Sequence, residues 1–85
     1  MSRKEKLINR LLSKPKDFSY SELRSLLNYF SYTELKQGKT SGSRRAFYSE
    51  NSKHVIRLHK PHPKEILKLY QIDMLIEELK KEGLL

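Results

Sequence analysis

The chain contains no cysteine. That excludes disulfides, thiolate nucleophiles and cysteine–zinc sites, and it suits a reducing cytoplasm. Long apolar runs are missing too. None approaches the roughly 18 residues of a membrane span, and no charged start with an apolar signal core is present. A soluble cytoplasmic protein with no membrane association is the expectation. Glycine and proline are scarce, three of each in 85 residues. Pro15 prevents easy continuation of a first helix, Lys60-Pro-His-Pro63 breaks a strand, and Gly83 is a stop signal for the last helix. The other two glycines, Gly38 and Gly42, fall in one loop.

Acidic residues are nearly absent from the middle of the chain. Residues 1–35 hold seven Lys/Arg against four Asp/Glu, residues 36–64 eight against one, and residues 65–85 three against five. The net charge of +8 therefore sits almost wholly in the middle third. Such local concentration points to a polyanion, with counterion release from phosphates supplying the affinity. The bland alternative is a solvated basic face.

The length fits one small domain over residues 1–85, with residues 1–15 as a helical extension and 16–85 as the core. Leu7, Ile8, Leu11 and Leu12 recur at helical spacing and predict a first helix ending near Ser13. Ser19 and Glu22 form a capping-box pattern flanked by Phe18 and Leu23, spaced for a hydrophobic staple. A second helix should then run to Tyr29 or Phe30, burying Leu23, Leu26, Leu27 and Phe30. Strands are predicted over residues 32–36, 44–49 and 54–59. A long last helix, with Ile72, Leu75, Ile76 and Leu79 on its stripe, should begin between Lys64 and Gln71. The expected fold is α+β, a three-stranded antiparallel sheet with helices on one face, in the order α-α-β-β-β-α.

The stretch from Lys36 to Ser49 is the candidate working part. Its glycines permit tight or left-handed backbone. Lys39, Thr40, Ser41 and Ser43 add a cation and three hydroxyls, and Arg44 and Arg45 follow, a composition able to wrap a phosphate. Strand alternation places Ile56, Leu58 and Phe47 inside, which sends Arg44, Ala46, Tyr48, Val55, Arg57 and His59 to the open face. Cations, an aromatic ring and an imidazole together suit RNA. A one-residue slip in register would swap the faces. His54 falls on the covered side and reads as structural. His59 and His62 could begin a zinc site, but no third or fourth ligand is evident, so neither metal nor cofactor is expected.

A Gly-Ser turn leads into a strand with an aromatic four positions after the serine (Ser43 to Phe47). A hairpin follows, ending in hydrophobic-Arg-Leu-His (Ile56–His59), then a loop and a C-terminal helix. This pattern resembles the HicA toxins of bacterial type II toxin–antitoxin systems, over about Ser19 to Leu85. The resemblance implies a fold like a double-stranded-RNA-binding domain, an mRNA interferase activity and neutralisation by a HicB-type antitoxin. HicA toxins usually carry Gly-Ser-His at this turn, with the histidine taken as catalytic. Here the turn reads Gly42-Ser43-Arg44. Cleavage by internal attack needs proton transfers and charge stabilisation at phosphorus. Arginine is a good phosphate clamp and a poor base. Arg44 is therefore assigned charge stabilisation, with His59 the first choice for proton transfer and His62 the second. Lys39, Ser43, Arg44, Arg45, Tyr48, Arg57 and Lys60 are the candidate RNA contacts. Two other readings stay open: a non-catalytic RNA-binding module, and a module whose basic face meets an acidic protein.

Overall fold

Ser2 opens the first helix, its Oγ accepting from the Glu5 amide at 3.1 Å. The computed structural model describes residues 2–36 and 42–85. Helix α1 spans Arg3–Leu12 and buries Leu7 and Leu11, while Leu12 is 44 % exposed. Arg10 forks onto Glu22 (2.7 and 3.2 Å) and also reaches Asp17 at 3.1 Å. Such bidentate pairing fixes geometry as well as adding attraction. Leu7 and Leu11 belong to the same apolar cluster as the rest of the core. Packing thus makes α1 one wall of the core.

Helix α2 spans Tyr20–Tyr29 and carries both halves of the expected capping box. Ser19 Oγ accepts from the Glu22 amide, and the Ser19 amide donates to Glu22 Oε1, each at 3.1 Å. Phe18 and Leu23 are fully buried beside it. The buried stripe begins earlier than the leucine spacing indicates, at Tyr20.

Strands β1 (Tyr32–Glu34), β2 (Arg44–Ser49) and β3 (Val55–His59) form one antiparallel sheet in the order β1-β2-β3. Strand β1 is shorter than the alternation predicts. The Leu35 amide still donates to Ala46 O at 2.9 Å, yet its side chain is 45 % exposed and contributes nothing to the core. Tyr32, Phe47, Ile56 and Leu58 face the helices and are buried. His54, just before β3, accepts the Tyr32 hydroxyl at Nδ1 (2.7 Å) and donates from Nε2 to Glu78 (2.9 Å). It ties the sheet to the last helix, a structural role.

Residues 66–68 are a linker rather than helix. The Tyr20 amide donates to Glu65 O (2.9 Å), and the Leu67 amide to Phe18 O (2.8 Å), stitching this segment to the entry of α2. Helix α3 then runs Leu69–Lys81, burying Gln71, Ile72, Leu75, Ile76 and Leu79. Gly83 at φ +73 ends it, with Leu84 donating to Leu79 O and Gly83 to Lys80 O, the Schellman arrangement. The result is an α+β fold, helices on one sheet face, in the order α1-α2-β1-β2-β3-α3. No helix among the described residues is long and apolar enough to cross a membrane.

Two substitutions probe these helix ends. Ser19→Ala should lower unfolding free energy by about 1 kcal/mol, since one capping bond disappears. Gly83→Ala should cost roughly 1–2 kcal/mol, because a side chain is disfavoured at that left-handed φ. Urea denaturation at neutral pH measures both.

Candidate nucleic-acid interface

In an antiparallel pair, directly opposed residues share a face. Phe47 opposes Ile56, so Ala46 with Arg57, Tyr48 with Val55, and Arg44 with His59 fall on the other side. Thr33 joins them, opposed to Tyr48. Arg44, Arg57 and His59 are exposed, and Tyr48 and Val55 are half-buried. The sheet thus gathers two guanidinium groups, an imidazole and a phenol on its helix-free face. Opposed Cβ atoms in such a ladder lie about 4.5–5.5 Å apart, and diagonal ones roughly 7–8 Å, within reach of one phosphodiester and its neighbours.

The end of the hairpin is held from three directions. Gly42, at φ +61, makes the turn into β2. The Lys60 amide donates to Ser43 O at 2.7 Å, and Ser43 Oγ shares a 3.3 Å hydrogen bond with His59 Nδ1. Behind the strand, buried Gln71 donates from Nε2 to His59 O at 2.8 Å while its Oε1 accepts from the Lys68 amide at 3.0 Å. Gln71 therefore caps α3 and fixes the backbone beneath His59. A polar residue four positions before Leu75 on an apolar stripe is the sequence signal that marks it.

The predicted contacts divide. Ser43, Arg44, Tyr48, Arg57 and His59 come together on or beside the open face. Arg45 lies on the helix side, its side chain 15 % exposed, with Nη1 donating to Gly42 O (2.8 Å) and Arg44 O (3.0 Å). Lys60 also turns to the helix side, pairing with Glu65 at 2.7 Å and sitting 5.3 Å from the centre of the Tyr20 ring. His62 is exposed in the connection after β3, outside the sheet. Lys39 lies outside the described residues. Among the described residues no group of three or more His, Cys, Asp or Glu side chains is placed to hold a metal ion.

On the helix side Tyr20 donates its hydroxyl to Glu34, which also faces Arg24 Nε (3.5 Å) and Arg45 Nε (3.8 Å). Burial, then the Glu34 hydrogen bond and charge, pushes the Tyr20 phenol above its ordinary range. Tyr32 is raised as well, chiefly by burial. Glu65 is held below the usual carboxylate range by its bond to Lys60 and by the charge of that lysine.

The raised phenols have a definite pH consequence. Unfolded tyrosines ionise near pH ~10, whereas these two keep their protons higher. Above that pH the unfolded chain binds fewer protons than the folded one, so stability falls as pH rises. The contribution is fully present below about pH 10 and is lost toward the higher folded values. Denaturant titrations between about pH 9 and 12 should show this decline, and Tyr20→Phe should flatten part of it. Compared with known proteins, the chain matches no family model, no curated protein and no solved structure.

Proposed function

We propose that this protein binds single-stranded RNA on its open sheet face and cleaves it there without a metal, as a HicA-type toxin held in check by a HicB-type antitoxin. The observation that carries the reading is the pairing of Arg44 with His59 across β2 and β3, one step from Arg57. Guanidinium groups at that spacing hold a phosphodiester and stabilise the charge that builds on phosphorus during attack. His59 supplies one proton transfer. Its Nδ1 is engaged by Ser43, which assigns the exchange to Nε2. In the reaction the 2′-hydroxyl loses its proton and bonds to phosphorus, the bond to the 5′ oxygen breaks, and that oxygen gains a proton. The products are a 2′,3′-cyclic phosphate and a free 5′-hydroxyl. The face holds a single imidazole, so the second proton is exchanged with water. Tyr48, half-buried on the same face, offers its ring to a neighbouring base. An antitoxin that is acidic, or that mimics a nucleic acid, would cover the same surface and shut off the activity. Cytoplasmic mRNA is the substrate this reading implies.

The single imidazole also favours a second reading, an RNA-binding module that does not cleave. One set of assays separates them. A labelled single-stranded RNA incubated with purified protein in EDTA should be cut to 2′,3′-cyclic phosphate ends. His59→Ala should slow cleavage about 10²–10⁴-fold, the usual scale for a lost general acid or base, with affinity nearly unchanged. Arg57→Gln should weaken binding and reduce the slope of log K against log salt by about 0.7, the value for one phosphate on a single strand. Binding with no cutting selects the second reading, and absence of binding rejects both. Induced expression in bacteria should arrest growth with loss of mRNA for the wild type and not for His59→Ala.

A further inference from the structure

Arg45 and Lys60, the two cations that turn away from the open face, meet in the same place. With Arg24 from α2, Glu34 and Leu35 from the end of β1, and Lys36, they line a cleft of roughly 310 Å³ on the helix side of the sheet. That is the small end of the range for ligand pockets. Among the described residues its lining carries four cations and one carboxylate, and adding Glu65, the partner of Lys60, leaves these groups net positive by two. Glu34 does not empty the cleft of positive potential. Its oxygens accept the Tyr20 hydroxyl and face Arg24 Nε and Arg45 Nε, so it acts as a brace that holds two guanidinium groups side by side. Arg24 and Lys60 both sit against the Tyr20 ring, at 5.5 and 5.3 Å from its centre. Two carboxylates shared among four cations leave an excess of positive charge that favours an entering anion, and a guanidinium fork matches phosphate oxygens.

Position sets the class of anion. Arg44 and Arg45 are consecutive, as are His59 and Lys60, and each pair sends one member to each side of the sheet. Successive Cα atoms are about 3.8 Å apart, so the open face and the cleft meet over the sheet's end with no neutral gap. We infer that the cleft is a second phosphate-binding site, which takes a backbone phosphate of the RNA strand lying on the open face. This deepens the proposed function and rests on it for the identity of the strand. The strand crosses the end of β2 and β3, with Arg44, Arg57 and His59 on one side and Arg24, Lys36, Arg45 and Lys60 on the other.

The test has two arms, both on the full chain. In the first, inorganic phosphate is titrated into ¹⁵N-labelled protein. The amides of Leu35, Arg45 and Lys60 should shift saturably, the shifts should vanish in the double variant Arg24→Gln/Lys36→Gln, and they should persist in Arg57→Gln. In the second, the double variant should bind single-stranded RNA more weakly than wild type, with its salt slope reduced by about 0.7, one phosphate's worth. Lys36→Gln alone, at an exposed position, repeats both arms should the double variant lose its thermal unfolding transition. Absence of phosphate shifts together with unchanged RNA binding overturns the site. Phosphate shifts with an unchanged RNA slope overturn the strand path and identify a free phosphate as the ligand. If wild type binds no RNA, the proposed function fails by itself, and the phosphate titration still decides the cleft.

Discussion

Phe47 and Ile56 oppose each other across β2 and β3, both closed off from solvent, and that pairing governs where every other side chain of the hairpin points. Side chains alternate with a period of two, so there are only two choices of face. Moving β3 by one residue would expose Ile56 and Leu58 and carry Arg57 into the core. Burying a large apolar side chain is worth about 1.5–3 kcal/mol each, while an unpaired buried guanidinium costs far more, so a single register survives. The basic open face is thus a by-product of the apolar one. Arg44, Arg57 and His59 are gathered because Phe47, Ile56 and Leu58 must be hidden.

What the sequence disclosed, and what it hid, divides along the range of the interactions. Helix α2 was legible because its start is written in adjacent residues: Ser19, Glu22, Phe18 and Leu23 act within one turn. The alternation in β2 and β3 was equally local. The start of α3 was not, because residues 65–67 are fixed by backbone partners at residues 18–20, far away in the chain. Strand β1 was overestimated for a similar reason: Leu35 has the right character for a strand, but no part of the core reaches it. The packing of α1 through Leu7 and Leu11 was legible, but Arg10 finding Glu22 and Asp17 is a contact that apolar periodicity does not record.

The candidate site shows the same division. Alternation alone sends Arg44 and Arg57 outward and Arg45 inward. Grouping Arg45 with its neighbour by charge overrode that rule, and the structure obeys the rule. An arginine can occupy the helix side near the end of a sheet because its long stem lies along apolar surface while its head finds carbonyls and a carboxylate. Lys60, one step beyond β3, follows it. Gln71 was hidden in a different way. It occupies a core position in α3, and its amide is satisfied on both sides, by the Lys68 amide and the His59 carbonyl. Its polarity is what a buried contact with the end of a strand requires.

The hydrogen bonds from Tyr20 to Glu65 and from Leu67 to Phe18 also bear on how the chain assembles. Each encloses α2, β1 and the β2–β3 hairpin within a single long loop. Closing a loop of that length carries an entropic cost that must be met before its contacts yield anything in return. The α1–α2 pair and the β2–β3 hairpin close short loops, whereas this seam closes a much longer one and carries the larger entropic cost. The cations of the cleft come from both ends of the enclosed loop, Arg24 from just after its near edge and Lys60 from just short of its far edge. Without it Arg24 and Lys60 lose the Tyr20 ring as common ground, and the positive charges of the middle third stay dispersed along an open chain, so the cleft depends on that long loop being closed.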